Sequence, residues 1–411
     1  MYLLTLATKY PGYLNQFYKS HPELLTRPYK EQYRGLMSDS FGSSEIWSVG
    51  MAERGYRTER IFANARPIQQ QWARENKLEI DNQNWQTRIL SDQVKCIQPD
   101  IIFINNHTLL TPAELRKLRQ ENPSIKLVIG WCASPYKDGS IFREYDFILS
   151  SIPEYVEDFN AKGHCCFHLN HAFDPRVLDK IETHRLPSID FSFCGSIVKA
   201  AGFHFEREAL IVDLVKATDL QIWSYIKHLS QRQRIKILAA QFIYDTMHAA
   251  TRTGLSTYRF TKILGFEKYL KKRRPDFSSY VDSRITKRAH PPVFGISMYQ
   301  KLRDSKVTLN THGENSSRSA SNMRIYEATG VGTCLLTDWK VNLKDLYEPD
   351  VEVAVYRDSK ECIEKVCYLL QNEKERRAIA EAGQKRTLQN HTIYLRAEQV
   401  DEIIREHLHK A

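Results

Sequence analysis

Short apolar runs alternate with helix-forming stretches along the first 180 residues. Runs with the length and composition of buried strands occupy residues 2–8, 56–61, 100–105, 126–130, 147–150 and 165–169. Wholly apolar strands that are separated by helices are typical of a parallel sheet covered on both faces. Residues 1–180 are therefore predicted to form a doubly wound α/β domain.

A second series of strands and helices follows a polar, Pro-bounded stretch. Residues 173–187 have the composition of an interdomain linker. The alternation resumes with a strand at 189–194 and continues to residue 390, which predicts a second Rossmann-like domain over 189–390. The last segment, 391–411, contains an amphipathic helix that ends near Leu408.

Residues 227–290 interrupt this alternation and carry the excess positive charge of the chain. They contain 15 Lys and Arg against 4 Asp and Glu, whereas the net charge of all 411 residues is +10. Apolar residues recur there at helical spacing and predict a basic helical insertion: Ile235, Leu238, Ala239, Phe242, Ile243 and Met247. Three interpretations stay open, namely a solvated helical lobe, a surface that holds an acidic or lipid-linked acceptor at a membrane, and a nucleic-acid site.

The remaining composition is ordinary for a globular protein. Hydrophobic residues make up 42% of the chain and charged residues 26%, and no apolar run approaches the ~18 residues of a membrane span. The N-terminal apolar run lacks the flanks of a signal peptide and is predicted to be a first strand. Eight dispersed cysteines form no CxxC pair, so we expect reduced thiols in a cytoplasmic protein, peripheral at the inner membrane face if the basic segment binds lipid.

Residues 322–338 predict a short helix, a glycine turn and a buried strand. The helix is preceded by three candidate N-caps, Ser319, Ser321 and Asn322. Gly330 and Gly332 are expected where the helix stops, because this position requires either φ > 0 or a close backbone approach. Together with the strand and polar loop of residues 305–314, this stretch forms a βαβ unit, and such units bind ligands at the carboxyl ends of their strands.

Two charged residues near the start of this helix point to a nucleotide. Arg324 and Glu327 lie three residues apart and share one helix face. A helix N-terminus favours an anion, and Arg324 adds a planar donor for phosphate. A carboxylate one turn further on, at Glu327, is placed to accept hydrogen bonds from ribose hydroxyls. A solvated ion pair between the two residues explains the same spacing.

This stretch resembles the C-terminal domain of group 1 glycosyltransferases with the GT-B fold, in which two Rossmann-like domains face a cleft. The closest likeness is to the spore-maturation-type (CgeB-like) branch, whose R-x-x-E-A-x-x-x-G helix appears here as Arg324, Glu327, Ala328 and Gly332. The resemblance covers roughly residues 295–400. His391-Thr-Ile-Tyr-Leu-Arg396 is similar to the family's C-terminal signature, which implies that the last helix packs back toward the domain junction. One departure is Ser319, which stands where the larger group carries a second Glu.

The resemblance implies that the nucleotide sugar binds the C-terminal domain and that the acceptor binds the N-terminal one. The expected nucleotide-sugar contacts are Gly195, Ser196, Lys199, Asn310, Thr311, His312, Gly313, Arg324, Tyr326, Glu327 and Gly330. Gly195-Ser196 would approach the diphosphate, although an ordinary tight turn explains this pair as well. Lys199 and Arg207 are the basic residues available beyond that turn to neutralise the diphosphate.

Two residues of the N-terminal half are candidates for the chemistry. His107 follows the strand at 100–105, and it is expected to contact the donor sugar or the acceptor hydroxyl. A loop His that caps the helix starting near Pro112 is the alternative. Asp39 lies in a small-residue loop and is the candidate general base if the enzyme inverts, although an Asx-turn explains it equally well.

These features predict transfer of a sugar from a nucleoside-diphosphate sugar, most often a UDP-sugar in this family, to an acceptor hydroxyl. The acceptor would be a glycan, a lipid-linked molecule or a surface-polysaccharide precursor. No DxD-type motif lies near the site, so transfer without a metal or another cofactor is expected. A nucleotide-sugar epimerase of the same fold is one alternative. The other alternative is a protein that binds nucleic acid through the basic segment, and a hybrid, sugar transfer onto DNA, also stays open. Nucleic acid is otherwise not an expected partner of this enzyme.

Overall fold

The computed structural model of the chain describes residues 1–79, 83–199, 204–226, 229–252, 274–275, 277 and 280–410. Two six-stranded sheets organise these residues, and all strand pairings within both sheets are parallel. Each sheet belongs to its own α/β domain with helices on its faces. The predicted fold class, two Rossmann-like domains, is confirmed.

The first sheet is built from strands of the N-terminal half. Its members are β1 (Tyr2–Ala7), β2 (Arg57–Phe62), β3 (Ile101–Ile104), β4 (Leu127–Trp131), β5 (Phe147–Ser150) and β6 (Cys166–His168). Their spatial order is β2-β1-β3-β4-β5-β6. The winding direction changes between β1 and β3, and a crevice forms at the carboxyl ends of strands where this happens.

The second sheet has the strand order typical of dinucleotide-binding domains. Its members are β7 (Ile189–Cys194), β8 (Gln221–Trp223), β9 (Ala289–His290), β10 (Ser305–Asn310), β11 (Cys334–Asp338) and β12 (Ala354–Tyr356). Their order is β12-β11-β10-β7-β8-β9, so the winding direction changes between β7 and β10. The edge strand β9 has two residues and was not predicted, because so short a strand has no readable pattern.

Helices cover both faces of each sheet. In the first domain they are α1 (Pro11–Ser20), α2 (Tyr29–Ser38), α3 (Val49–Glu53), α4 (Arg66–Glu75), α5 (Trp85–Ile97), α6 (Pro112–Glu121) and α7 (Pro153–Ala161). The second series comprises α8 (Phe205–Ala217), α9 (Gln231–Arg252), α10 (Ser283–Arg288), α11 (Gly295–Arg303), α12 (Met323–Gly330), α13 (Leu343–Leu346), α14 (Ser359–Gln371), α15 (Glu373–Asn390) and α16 (Ile393–Lys410).

Prolines account for one difference from the predicted elements. The polar stretch 14–35 was expected to form one helical segment, but α1 ends at Ser20 and a 3₁₀ turn occupies Pro22–Thr26 before α2 begins. Pro22 and Pro28 stand at these two boundaries, because a proline fits the start of a helix but interrupts its interior.

The predicted basic insertion, residues 227–290, begins after β8 and contains α9 and α10; its last two residues form β9, which pairs with β8 and extends the second sheet. Residues 227–228, 253–273, 276 and 278–279 of this insertion lie outside the described residues, as does the side chain of Met247. Among the helices that the structure describes, none has the length and apolar character needed to cross a bilayer.

The C-terminal helix α16 belongs to the core of the first domain, although it follows the second domain in sequence. Its buried residues Ile393, Ala397, Val400 and Ile404 join a core cluster with residues of β1, β3, β4 and β5. At the crossing with α3, an added Cβ at Gly50 would lie 2.8 Å from the Cβ of Ala397. The chain therefore passes twice between the domains.

The segment expected to be a polar linker is anchored in the core of the second domain. Phe173 and Val177 are fully buried there, and Ile181 is nearly so. The backbone of Phe173 also exchanges hydrogen bonds with residues 391–393: its N–H donates to the carbonyl of His391, and its carbonyl accepts from Ile393. The two connections between the domains therefore lie side by side.

Candidate functional site

The places where the winding direction changes are the switch points of the two sheets. They open into one cleft between the domains, which has a volume of about 680 Å³. Residues that follow β1 and β3 line it on one side, and residues that follow β7 and β10 line it on the other. A ligand in the cleft would therefore touch both domains. Nine predicted site residues line this cleft: His107, Gly195, Ser196, Asn310, Thr311, His312, Gly313, Arg324 and Glu327.

Helix α12 points its N-terminal end into the cleft. Of the three candidate N-caps, Asn322 takes the N-cap position, but its side chain makes no capping hydrogen bond. Instead, Nδ2 of Asn322 donates to Oδ1 of Asn310 at 2.8 Å. The amides of the first turn thus receive no acceptor from the N-cap side chain, and the positive end of the helix favours an anion there.

Arg324 and Glu327 form a buried ion pair in the cleft wall. Nη1 of Arg324 lies 2.8 Å from Oε2 of Glu327, and Nε of Arg324 donates to the carbonyl of Cys194 at 3.0 Å. The two side chains are 17% and 6% exposed, so this is not the solvated surface pair that the spacing allowed. Burial raises the pKa of Glu327, and the charge of Arg324 opposes this rise.

One donor and one acceptor of this pair make no hydrogen bond in the described part of the chain. Nη2 of Arg324 and Oε1 of Glu327 have no hydrogen-bond partner among the described residues. A guanidinium nitrogen at a helix N-terminus suits a phosphate oxygen, and a carboxylate oxygen one turn away suits a hydroxyl donor. The local geometry therefore keeps both functional groups in the arrangement that the sequence spacing predicted.

The loop after β10 is held by polar contacts behind the cleft. Nδ2 of Asn310 donates to Oγ1 of Thr337 at 2.8 Å, and the hydroxyl of Tyr356 donates to the carbonyl of Asn310 at 2.9 Å. All of these groups are buried, so their hydrogen bonds strongly restrict the loop conformation. The backbone of Asn310–Gly313 is thereby presented to the cleft in one conformation.

His312 and Asp338 form a second buried pair beneath this loop. Nδ1 of His312 lies 2.7 Å from Oδ1 of Asp338, and the amide of His312 donates to both carboxylate oxygens at 3.2 and 3.3 Å. Burial opposes ionisation of Asp338, but His312 and Lys340 outweigh it and lower the pKa of Asp338 to about 2. An ionised carboxylate can only accept, so Nδ1 of His312 carries the proton. Because the ring of His312 is fully buried, the pair fixes the loop, and the backbone of His312 faces the cleft.

Arg207, and not Lys199, is the basic residue that reaches the cleft beyond the Gly195-Ser196 turn. Arg207 lines the cleft and donates to the carbonyls of Ser196 and Thr311 at 2.9 and 2.8 Å. Burial lowers the pKa of Arg207 to about 10, which leaves it charged at neutral pH. Lys199 instead forms an ion pair with Glu208 outside the set of cleft-lining residues. The signal that could have separated them is that Arg207 lies in the first turn of α8, whose N-terminus faces the Gly-Ser turn.

His107 lies on the opposite wall, where the chain leaves β3. Its ring centroid is 5.5 Å from that of Phe142 and 6.3 Å from that of Tyr136. Burial lowers the pKa of His107, so the ring is neutral at neutral pH and has one nitrogen that can accept a proton. The structure thus places His107 in the cleft wall.

Sequence reasoning missed part of the first-domain wall. Lys9, Trp131 and Asn170 all line the cleft. Burial, followed by the nearby charge of Arg60, lowers the pKa of Lys9 to about 7. Oδ1 of Asn170 is buried without a hydrogen-bond partner in the described part of the chain. The usable signal was position, because each of these residues lies at or just beyond the end of a buried strand.

Besides Lys199, three predicted site residues lie away from the cleft. Asp39 packs on Gly295, and its Oδ1 accepts from the amide of Ile296 at 3.4 Å, so it caps α11 across the domain boundary. Tyr326 is fully buried between Tyr347 and His391. Gly330 faces Phe173, whose ring would lie 2.4 Å from an added Cβ. The last two belong to the buried side of α12, whereas Arg324 and Glu327 belong to its cleft side.

The fold and the cleft agree with comparisons to solved structures. HepE from Anabaena in complex with UDP-glucose aligns with a TM-score of 0.56 and 10% identity, over 99% of this chain and 100% of the other. Sucrose-phosphate synthase from Thermosynechococcus elongatus aligns with 0.53 and 10% over 100% of both chains. A glycosyltransferase from Rickettsia africae aligns with 0.51 and 11%, over 100% of this chain and 99% of the other. The chain has the GT-B fold.

Sequence comparisons add one match. Residues 261–402 match the protein-family model described as "Glycosyl transferase-like", and this range includes α12, Arg324 and Glu327. No curated protein matches the chain by sequence.

Proposed function

We propose that this protein is a glycosyltransferase that moves a sugar from a nucleoside-diphosphate sugar to an acceptor hydroxyl. The observation that carries the proposal is the buried Arg324–Glu327 pair at the start of α12, with one uncommitted donor and one uncommitted acceptor. It lies at the switch point of a Rossmann-type sheet, where nucleotides bind. The GT-B fold and the family match over 261–402 support this proposal, and the R-x-x-E-A-x-x-x-G helix supports the spore-maturation-type branch.

In this proposal the second domain stabilises the leaving group. Departure of the nucleoside diphosphate breaks the bond between the anomeric carbon and a phosphate oxygen, and negative charge develops on the diphosphate. Nη2 of Arg324, the first-turn amides of α12 and the backbone of the Asn310–Gly313 loop are positioned to stabilise this charge, with Arg207 as a second cation. Glu327 would hold the ribose hydroxyls.

The two arginines support a transfer that needs no metal ion, since they supply the positive charge that a divalent cation would otherwise provide. Full activity after treatment with EDTA is the expected result. Activity that is lost with EDTA and restored by Mg²⁺ or Mn²⁺ would contradict this part of the proposal.

The first-domain wall supports a hydroxyl-rich acceptor, such as a glycan or a lipid-linked saccharide. Asn106 and Asn170 offer neutral hydrogen-bonding groups, and Trp131 offers an aromatic surface beside His171, with ring centroids 5.3 Å apart. As the acceptor oxygen bonds to the anomeric carbon, its hydrogen must leave as a proton. We propose His107 as the group that takes this proton, because it is neutral and lines the cleft.

Binding of nucleoside diphosphates tests the proposal most directly. Calorimetry with UDP, GDP, dTDP, CDP and ADP is expected to identify one ligand of the wild-type protein. Glu327→Gln should weaken its binding at least roughly tenfold, since hydrogen bonds to a charged group contribute about 1.5–3 kcal/mol. Glu364→Gln is the matched control, because Glu364 lies on an exposed helix face and pairs loosely with Lys360.

The outcomes separate the alternatives. A wild-type protein that binds none of the five diphosphates would refute the glycosyltransferase proposal. A protein that binds one of them and consumes the corresponding nucleotide sugar without any acceptor would instead support an epimerase. Equal losses in Glu327→Gln and Glu364→Gln would show that Glu327 does not hold the ribose.

A further inference from the structure

Helix α9 presents apolar side chains to solvent. Ile235 is 65% exposed, Leu238 is 48% exposed and Phe242 is 73% exposed. At 100° per residue these three positions fall within about 60° of one another on the helix surface, so they form one stripe. We call Ile235, Leu238 and Phe242 the α9 stripe. An exposed apolar cluster on one element is a mark of an interaction surface.

Two polar side chains of α9 bind a neighbouring part of the insertion. Nε2 of Gln241 donates to the carbonyl of Pro275 at 2.9 Å. Asp245 forms a two-pronged ion pair with Arg274, with distances of 2.8 and 2.7 Å. On the helical projection Asp245 and Gln241 fall about 20° and 60° from Leu238, so these contacts border the α9 stripe and leave it open to solvent. The side of α9 away from the stripe carries half-buried residues, namely Ile237, Ala240 and Tyr244. The stripe is therefore an additional apolar surface that the helix leaves exposed.

Basic residues flank the stripe on both sides. On the helical projection, Arg232 and Lys236 fall on one side of the α9 stripe and Arg234 falls on the other, and all three residues are exposed. An apolar stripe flanked by cations matches a bilayer surface in which acyl chains lie beneath anionic headgroups. Lys and Arg side chains at such a boundary extend their charged ends toward the headgroups.

We propose that α9 is a membrane-docking helix that inserts Ile235, Leu238 and Phe242 into the interface of an anionic lipid bilayer. It would hold the protein against the surface on which a lipid-linked or surface-bound acceptor is presented. The docking itself stands independently of the proposed sugar transfer, because none of the three stripe residues lines the cleft.

Co-sedimentation with lipid vesicles tests this proposal on the full chain. The wild-type protein is expected to sediment with phosphatidylcholine vesicles that contain roughly 30% phosphatidylglycerol and to bind pure phosphatidylcholine vesicles at least tenfold more weakly. The double variant Ile235→Ser/Phe242→Ser should lose at least tenfold of the binding to the anionic vesicles. Leu186→Ser is the matched control, because Leu186 is an exposed apolar residue outside α9, at 74% exposure.

The same assay tests the role of the basic residues and whether the partner of the stripe is lipid. Arg232→Glu/Lys236→Glu should weaken vesicle binding by a similar factor, and added salt should weaken wild-type binding. The proposal is overturned if the wild-type protein and the Ser double variant bind anionic vesicles equally. It is also overturned if the stripe instead mediates a dimer that the double variant abolishes, or if the protein binds single- or double-stranded DNA and leaves vesicles unbound.

Diphosphate calorimetry on the same variants separates this inference from the proposed function. Both double variants should bind the nucleoside diphosphate as the wild type does, because none of the four substituted residues lines the cleft. Vesicle binding by a protein that binds no diphosphate would refute the transferase and leave the docking surface standing. Diphosphate binding without vesicle binding would refute the docking surface and leave the proposed transferase standing.

Discussion

Two partly buried aspartates near the domain boundary have pKa values shifted in opposite directions. The pKa of Asp338 is lowered to about 2 because His312 and Lys340 outweigh the effect of burial. The pKa of Asp39 is raised because burial dominates over its hydrogen bonds and the nearby charges of His21 and Lys9. A lowered folded-state pKa stabilises the fold above the unfolded value of 3.8. A raised one makes the ionised carboxylate destabilising once the pH exceeds the folded pKa.

We therefore expect Asp39→Asn to raise the melting temperature at pH 7, where the wild-type carboxylate is ionised against the cost of burial. The amide oxygen can still accept from the amide of Ile296. The gain should shrink as the pH falls toward 4, because the wild-type carboxyl group then becomes protonated. Thermal unfolding measured across this pH range checks the sign. Because Asp39 lies outside the cleft wall, sugar transfer should persist, and its loss with intact diphosphate binding would restore Asp39 as the general base.

Asp338→Asn is the matched control with the opposite sign. It should lower the free energy of unfolding at pH 7 by about 2.5 kcal/mol, which corresponds to the difference between a pKa of 3.8 and one of about 2 at roughly 1.4 kcal/mol per unit. This loss should fade as the pH falls from 4 toward 2. Urea denaturation at several pH values measures it, and a loss that does not change with pH would contradict the charge argument.

At the scale of elements, α12 is positioned by both of its faces. Its cleft face carries Arg324, which is tied to the carbonyl of Cys194 at the end of β7. Its buried face packs Tyr326 beside His391 and sets Gly330 against the ring of Phe173. The glycine that sequence reasoning assigned to the nucleotide is required here by packing. These contacts hold α12 in the orientation that presents Arg324 and Glu327 to the cleft.

Gly330→Ala should destabilise the protein by about 2 kcal/mol, because the new Cβ would lie 2.4 Å from the Phe173 ring and force the helix outward. The better helix propensity of Ala does not offset this clash. Gly12→Ala is the control, since its nearest neighbour would be Phe294 at 3.9 Å, an ordinary contact. Chemical denaturation compares the two variants, and equal stability would show that α12 can shift without cost.

At the scale of the whole molecule, the two domains share more than the cleft. The chain crosses from the first domain to the second near Phe173 and returns near Thr392, where the two segments pair. Helix α16 then completes the first-domain core beside Trp47 and Phe103. The first domain therefore depends on a helix that follows the second domain in the chain, and an intact cleft requires α16.

Ile404→Ala should cost about 3 kcal/mol, the usual loss for truncating a fully buried Ile, and the loss should appear in the first domain. Trp47 shares the core cluster with Ile404, so tryptophan fluorescence during urea unfolding reports on it. Glu406→Ala, at an exposed position of the same helix, is the control. A destabilisation of the same size in both variants would indicate a local effect on the helix and not a shared core.

The sequence by itself determined the two α/β domains, most of their strands, and the Arg324–Glu327 spacing on α12. These features follow from local patterns, because apolar runs, helix formers and three-residue spacing are readable within a few residues. Nine of the predicted site residues reached the cleft for the same reason, since eight of them end or follow a strand or begin a helix, and Glu327 lies one turn further along α12. Position along the chain was sufficient for them.

Tertiary structure decided which side of each element faces the cleft. Arg207 reaches it while Lys199 pairs with Glu208, and Asp39 caps a helix of the other domain. Tyr326 and Gly330 lie on the buried side of α12, and α16 fills the core of the first domain. These outcomes depend on contacts between residues far apart in sequence. Phe173 and Gly330, for example, are in contact although they are 157 positions apart. No local pattern predicts these contacts, because the residues that reach the cleft and those that do not have similar residue types. They differ only in what packs against them.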